Sequence, residues 1–348
     1  MCFSAFKKLY TWGPITALPS VFNGPGYLPK RWRPDEEENT KYLQFCNICL
    51  GYKAPRSHHC KKCDRCVLKM DHHCPWINTC VGFKNHPNFI LFIFFAVVAC
   101  IQSTTILSCS LYRALNRGWY LHYGRGTEPI VTLELYGSIA CIIALGLSIG
   151  VVLGVGILLF FQIRAIMRNR TGIEDWILEK AIHRRLVAQE KGGAMEPFIY
   201  PYHLGVWRNI QQVINWDMTP VGDGINWPIV SHPKCDQYTF TREQMEQKVE
   251  KKQRAKAYSV IKSYSGRWLP LKFGWRVLCT LPCTDEARIP LDEGDYMLVT
   301  RWRKNWLFGE KINGQGDQVR LKGWFPRVCV IEVSGDKQVN FSNDKKEQ

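Results

Sequence analysis

The chain has 348 residues, 46% of them hydrophobic and 13% aromatic, which excludes a disordered tail or a low-complexity fibre and leaves room for two or three compact units. Its formal charge of +16 suits an anionic partner such as nucleic acid, a membrane face or a polyanionic cofactor, without choosing among them. Fifteen cysteines would suit a secreted disulfide scaffold, but seven lie between Cys46 and Cys80 among four histidines, a mixture that reads as metal binding in reducing cytosol.

Residues 1–42 read as an N-terminal lead without a secretory signal pattern: Lys7 and Lys8 follow Met1-Cys2, and the apolar stretch Ile15 to Phe22 is broken by Pro19. Residues 43–88 form the Cys/His module. Residues 89–111 are apolar apart from Gln102 and a few small hydroxyl side chains; at roughly 1.5 Å per residue they cross a bilayer core of about 30 Å. A second uncharged span covers 135–163, in which Gly146, Gly150 and Gly154 share one helix face and suit the close approach of another helix. Lysine and arginine are dense before Phe89 and after Ile163, whereas the loop 112–134 carries only Arg113, Arg117 and Arg125. Both termini are therefore expected in the cytosol and the loop in the lumen.

Residues 164–256 read as a cytosolic linker. Within it Ile173, Trp176, Ile177, Ala181, Ile182 and Leu186 recur near helical spacing, predicting an amphipathic helix that lies on the membrane or packs on the protein itself. Residues 257–333 alternate apolar and polar in short runs broken by Gly and Pro, as small β-barrels do, and 334–348 form a tail. No internal repeat is evident.

The module runs CNICLGYKAPRSHHCKKCDRCVLKMDHHCPWINTC. Cys46-x-x-Cys49, Cys60-x-x-Cys63 and Cys63-x-x-Cys66 are short chelating loops of the kind that bring two thiolates to one tetrahedral zinc. Seven cysteines with His58, His59, His72 and His73 give eleven candidate ligands, while two closed sites need eight. The surplus is where chemistry would reside. Asp71-His72-His73-Cys74 supplies a carboxylate, imidazole and thiol within four residues, and an imidazole oriented by a carboxylate is a common generator of a thiolate nucleophile. Spacing does not separate His72 from His73, nor His58 from His59.

These residues, with Lys53-Ala54-Pro55-Arg56, Pro75-Trp76, Asn78, Val81-Gly82 and Asn85, resemble the cysteine-rich domain of the DHHC-type protein S-acyltransferases, the palmitoyltransferases. Gly24-Pro25-Gly26 stands where that family has Asp-Pro-Gly, and Thr171-Gly172-Ile173-Glu174 is similar to its Thr-Thr-x-Glu, with glycine at the second threonine. Trp207-Arg208-Asn209 fits its post-span segment. The resemblance implies two structural zinc ions, one on Cys46, Cys49, His59 and Cys66 and the other on Cys60, Cys63, His73 and Cys80. It also implies Cys74 as the acylated nucleophile, His72 as general base and Asp71 as its orienting partner. The donor would be long-chain acyl-CoA and the acceptors proteins with membrane-proximal cysteines. Lys53, Arg56, Lys61, Lys62, Arg65 and Lys69 are expected to hold the CoA phosphates. The family usually has four spans with this domain between the second and third. Residues 1–45 contain none, so the spans found here correspond to the third and fourth.

The stretch Leu291-Asp292-Glu293-Gly294-Asp295, Trp306 and Gly323-Trp324-Phe325-Pro326 resembles a Src homology 3 (SH3) domain, which implies a proline-rich or other peptide partner. Lys345-Lys346-Glu347-Gln348 is similar to the dilysine signals of endoplasmic-reticulum membrane proteins. The expected architecture is thus a multi-pass α-helical membrane protein with a cytosolic zinc-binding cysteine-rich domain and a C-terminal all-β SH3-like barrel. Its expected activity is S-palmitoyl transfer. The competing class is a catalytically inactive membrane adaptor using the zinc module as scaffold and the barrel for binding; nucleic acid is not an expected partner.

Overall fold

The computed structural model describes residues 23–127, 129–284, 286–312 and 321–333, and the chain divides into one unit over Met1–Met245 and another over Glu246–Gln348. The lead before residue 23 and the dilysine-like tail lie outside the described residues.

The first unit begins with three two-stranded antiparallel hairpins: β1 (Phe45–Cys46) with β2 (Gly51–Tyr52), β3 (His58–Cys60) with β4 (Arg65–Val67), and β5 (His72–Cys74) with β6 (Thr79–Val81). Strands of two or three residues do not hold themselves together in water. The glycines and asparagine of the sequence signature seat them instead. Gly24 and Gly26 take left-handed backbone, and the carbonyls of Pro25 and Gly26 accept from Lys84 and Leu68. A Cβ on Gly82 would stand 2.7 Å from Val67 and 2.8 Å from the Pro25 carbonyl, so no larger residue fits. Asn85 is fully buried, donating to the Cys80 carbonyl and accepting from the Gly82 N–H.

Two helices among the described residues are long and apolar enough to cross a membrane: α1 (His86–Leu115) and, after a short helix α2 (Arg117–Tyr123), α3 (Leu135–Arg168). Both run past the expected spans, α1 from residue 86 rather than 89 and α3 to residue 168 rather than 163. The added turns bring His86 and Ile166 to the cysteine-rich module. The two helices pack together, but through Phe92, Ile93, Leu158 and Leu159. No described atom approaches within 4 Å of a Cβ placed on Gly146, Gly150 or Gly154, so these glycines do not mediate that contact.

Asn169, with φ of 48°, ends α3 in the left-handed cap that asparagine tolerates. Thr171 then starts α4 (Gly172–Glu190) through a capping box: its side chain accepts from the Glu174 N–H while the Glu174 carboxylate accepts from the Thr171 N–H. Of the six apolar residues expected to form one face of α4, Ile177 and Ala181 are buried. Ile177, Leu178 and Ala181 are buried; Ile177 and Leu178 pack with Cys46, Cys49, Leu68, Tyr200 and Tyr202, while Trp176, Ile182 and Leu186 remain exposed. Helix α5 (Val206–Gln211) contributes Asn209, fully buried, which donates to the Met167 carbonyl and accepts from the Leu204 N–H. Helix α6 (Thr239–Gln253) buries Phe240 and Glu243 in the same unit.

In the second unit, β7 (Lys256–Val260), β10 (Tyr296–Arg303), β11 (Trp306–Ile312), β12 (Lys322–Pro326) and β13 (Val330–Glu332) form a five-stranded antiparallel sheet in the order β12-β11-β10-β7-β13. A further hairpin joins β8 (Tyr264–Ser265) to β9 (Pro290–Leu291), and between them lies the short helix α7 (Trp275–Leu278). The core holds Trp306, Phe325, Met297, Leu307 and Val299.

Candidate active site and metal centres

Cys46, Cys49, His59 and Cys66 bring their ligand atoms within 4.8 Å of one another, and so do Cys60, Cys63, His73 and Cys80. In the first set the Nδ1 of His59 stands 3.5, 3.4 and 3.9 Å from the three sulfurs; in the second, the Nδ1 of His73 stands 3.6, 3.4 and 3.7 Å from its three. One nitrogen cannot share a single proton among three thiols. Ligands about 2.0–2.3 Å from a tetrahedral zinc are separated by roughly 3.5–3.8 Å along the tetrahedron edges, so both sets have the chemistry and spacing to hold zinc.

The two sets also reveal a repeat that reading along the chain did not find. Each ligand of the first set lies fourteen residues before its counterpart in the second: Cys46 and Cys60, Cys49 and Cys63, His59 and His73, Cys66 and Cys80. The hairpins follow the same offset, β3–β4 to β5–β6. Continuing the pattern, Cys74 falls where Cys60 would be one repeat later, but the next positions are Ile77, Pro87 and Phe94. Cys74 is a first-ligand position with no further set to join.

Strand alternation then separates the paired histidines. Successive side chains of a strand face opposite ways, so His73 enters the metal set while His72 and Cys74 share the other face of β5. There the Nδ1 of His72 donates to Asp71 Oδ2 at 2.8 Å, and the His72 side chain interacts with the Cys74 thiol. Asp71, 7% exposed, also accepts from the Gln162 amide on Oδ2 at 2.8 Å and from the Gly172 N–H on Oδ1 at 2.9 Å. Burial works to raise the Asp71 carboxyl, but His72, His86 and the Gly172 N–H outweigh it and hold the group well below the usual carboxylate range. Burial likewise works to lower His72, but the Asp71 and Cys74 contacts lift it from 6.5 to about 9. For Cys74 burial disfavours the thiolate; the His72 contact and the N–H groups of Ile77 and Trp76 overcome that and lower it. Cys74 is 4% exposed and packs with Ile77, Phe89, Ile93 and Ile166, in a cluster that reaches between α1 and α3 through Leu158 and Leu159.

The six basic residues expected to hold phosphates divide. Lys61 and Lys62 are exposed and Lys53 half-buried. Arg56 is not available: its side chain has no solvent exposure, it forms a two-pronged pair with Glu174 at 2.6 and 2.8 Å, donates to the Asn169 side chain and carbonyl, and stands 4.6 and 4.5 Å from the ring centroids of Tyr202 and Trp227. Lys69 is buried with its amine 5.4 Å from the Trp227 ring centroid. Burial and the Arg56 charge push it down to about 7. Arg65 spends a donor on the Leu28 carbonyl. Sequence reading missed Gln162, His86, Asn169 and the aromatic cradle of Arg56. A polar side chain inside an apolar span is the signal available for Gln162, and Gln102 carries it equally.

In the second unit Trp306 is fully buried, and its indole N–H donates to the Val277 carbonyl of α7.

The chain matches the DHHC palmitoyltransferase family over residues 39–179. It is similar to palmitoyltransferase ZDHHC6 of Danio rerio, with 44% identity over 99% of this chain and 86% of the relative. The Homo sapiens protein of that name shares 43% identity over 96% and 84%, and probable protein S-acyltransferase 15 of Arabidopsis thaliana 35% over 57% and 73%. The chain belongs to the DHHC palmitoyltransferase family.

Proposed function

We propose that this chain is a membrane S-acyltransferase that accepts a long-chain acyl group from acyl-CoA on Cys74 and passes it to cysteines of membrane-associated proteins. The observation that carries the reading is the line Asp71–His72–Cys74 opening onto an apolar cluster shared with both candidate spans. His72 takes the Cys74 proton, and Asp71 stabilises the resulting imidazolium. The thiolate attacks the thioester carbonyl, a new carbon–sulfur bond forms, and CoA leaves with the proton returned by His72. A substrate thiol, deprotonated by the same ring, then attacks the acyl-Cys74 and restores the free thiol. One thioester replaces another in each half, so orientation and thiolate formation carry the rate.

Two zinc ions, one per Cys/His set, would fix the hairpins; with all four positions filled by protein ligands, the metal supplies structure rather than chemistry. Lys53, Lys61, Lys62 and Arg65 remain as candidates for the CoA phosphates. Arg164, Arg168 and Arg170 support a cytosolic end for α3 and a multi-pass topology with both termini cytosolic. The dilysine-like tail supports an endoplasmic-reticulum membrane location. The five-stranded sheet and its signature residues support an SH3-like barrel over 257–333. The Val277 contact of Trp306 counts against an open proline groove, so any peptide partner would use another face of that barrel.

Cells expressing the chain or its Cys74→Ser variant, labelled with a clickable palmitate analogue, test the reading. Hydroxylamine-sensitive label on the enzyme and its targets is expected only with Cys74; label that survives the substitution, or none in either case, favours the adaptor.

A further inference from the structure

We propose that Gln162 is a positioning residue for this reaction: its amide, delivered by the second membrane helix and oriented by His86, locks the Asp71 carboxylate onto His72. The inference rests on the transferase reading of Cys74.

Donor directions along the chain of contacts are fixed by chemistry. A carboxylate only accepts, so Gln162 must turn its NH2 toward Asp71 Oδ2, 2.8 Å away. That leaves its carbonyl facing the Nε2 of His86 at 3.0 Å, and this nitrogen must then carry the proton. The polar sequence runs one way, from His86 to Gln162 to Asp71, and meets the donation from His72 on the same oxygen. All three supporting groups are buried, with exposures of 7% for Asp71 and 6% for Gln162 and His86, so solvent does not replace a lost partner.

The Asp71 carboxylate plane has one soft rotation. The Gly172 N–H pins Oδ1 and the Gln162 amide pins Oδ2, and two anchors on different oxygens fix the plane in which His72 finds its acceptor. Without Gln162 the plane can turn about the Gly172 contact. Helix packing sets the anchor: Ile166, one turn beyond Gln162 on α3, packs in the cluster that holds Cys74. Gln162 donates to Asp71 and accepts from His86, and acts on the thiol through them. A polar side chain in an apolar span is costly, which is reason to assign it a task.

The test uses the full-length protein purified in detergent, with Gln162→Leu, which keeps the bulk but neither polar atom, and Gln162→His, whose ring offers both a donor and an acceptor. Two rates are read: single-turnover acylation of Cys74 from palmitoyl-CoA, and alkylation of Cys74 by iodoacetamide at neutral pH, which needs no acyl donor. For Gln162→Leu, acylation is expected to slow about tenfold to a hundredfold and alkylation about tenfold, with the KM for palmitoyl-CoA and the zinc content unchanged. Gln162→His should recover both rates to within about threefold of the parent. Parent-like rates in Gln162→Leu overturn the proposal, as do equally slow rates in the two variants. A parent that alkylates but never acylates at Cys74 overturns the transferase reading, while the alkylation comparison still decides the role of Gln162.

Discussion

Arg56 and Glu174, 118 residues apart in the chain, form a two-pronged ion pair with no solvent exposure on either side chain. The pair fastens the cysteine-rich module to the first turn of α4, just after the second span, and Glu174 also completes the capping box and accepts from the Tyr200 hydroxyl at 2.9 Å. The Thr-x-x-Glu element is therefore a strut in this chain.

Breaking the strut from one side strands a buried charge. Glu174→Gln should destabilise the first unit by about 3–5 kcal/mol and lower its yield. The double change Arg56→Met with Glu174→Met removes both charges, and should recover much of that loss. Thermal unfolding of the purified variants checks the order; a double variant less stable than the single one would contradict it.

The state of His72 and Cys74 sets a pH dependence. With Cys74 lowered and His72 raised to about 9, the thiolate–imidazolium pair has its acidic limit at the lowered thiol value and its basic limit at about pH 9. Acid beyond the lowered thiol value protonates Cys74; base beyond about 9 removes the proton that His72 gives to the leaving group. Asp71→Asn withdraws the charge that lifts His72, leaving burial to lower it, and Cys74 climbs back. Alkylation of Cys74 across pH should show its acidic limb moved up by about one unit, a loss approaching tenfold at pH values below that limb. An unmoved limb would remove Asp71 from the account.

Loss of a metal ligand should act on folding before chemistry. Cys46→Ala and Cys60→Ala should each lower zinc content and unfold the short hairpins, because structural zinc sites contribute on the order of 10 kcal/mol to small domains. Cys74→Ala should leave zinc content at the parent value. Metal analysis by mass spectrometry with thermal unfolding reads both, and a Cys74 variant that loses zinc would place that sulfur in a metal set.

Gly172 has room for a side chain: a Cβ there would meet Asp71 Oδ1 at 3.9 Å, an ordinary contact. Gly172→Ala should stabilise the start of α4 by about 0.5–1 kcal/mol, raise the melting temperature by a few degrees and keep activity. A fall in the melting temperature would show that the site needs glycine for a reason the geometry does not contain.

The site was legible where residue types allow one kind of chemistry. Clustered Cys-x-x-Cys loops and histidines point to metal, and a surplus thiol beside His and Asp points to a nucleophile. His72 and His73 were inseparable by spacing because strand alternation, a three-dimensional property, divides them. The fourteen-residue repeat was hidden because the sets interleave: Cys60 and Cys63 lie between His59 and Cys66 in the chain. Arg56 read as one more surface cation because its partners Glu174, Tyr202 and Trp227 are distant in sequence. Along 172–190 the apolar spacing predicts a helix, but it does not say that Ile177 and Leu178 pack with the module while Trp176, Ile182 and Leu186 stay exposed. In the second unit the sheet was foreseen from alternation, while burial of Trp306 under α7 depends on an excursion between β8 and β9 that alternation does not describe.

Intact-mass and peptide mass spectrometry of the purified chain after incubation with palmitoyl-CoA tests the central claim most directly. The account predicts one hydroxylamine-labile palmitoyl group on Cys74, formed within a single turnover and released to an added thiol acceptor. An unmodified Cys74, in protein that retains its zinc and its fold, would contradict it.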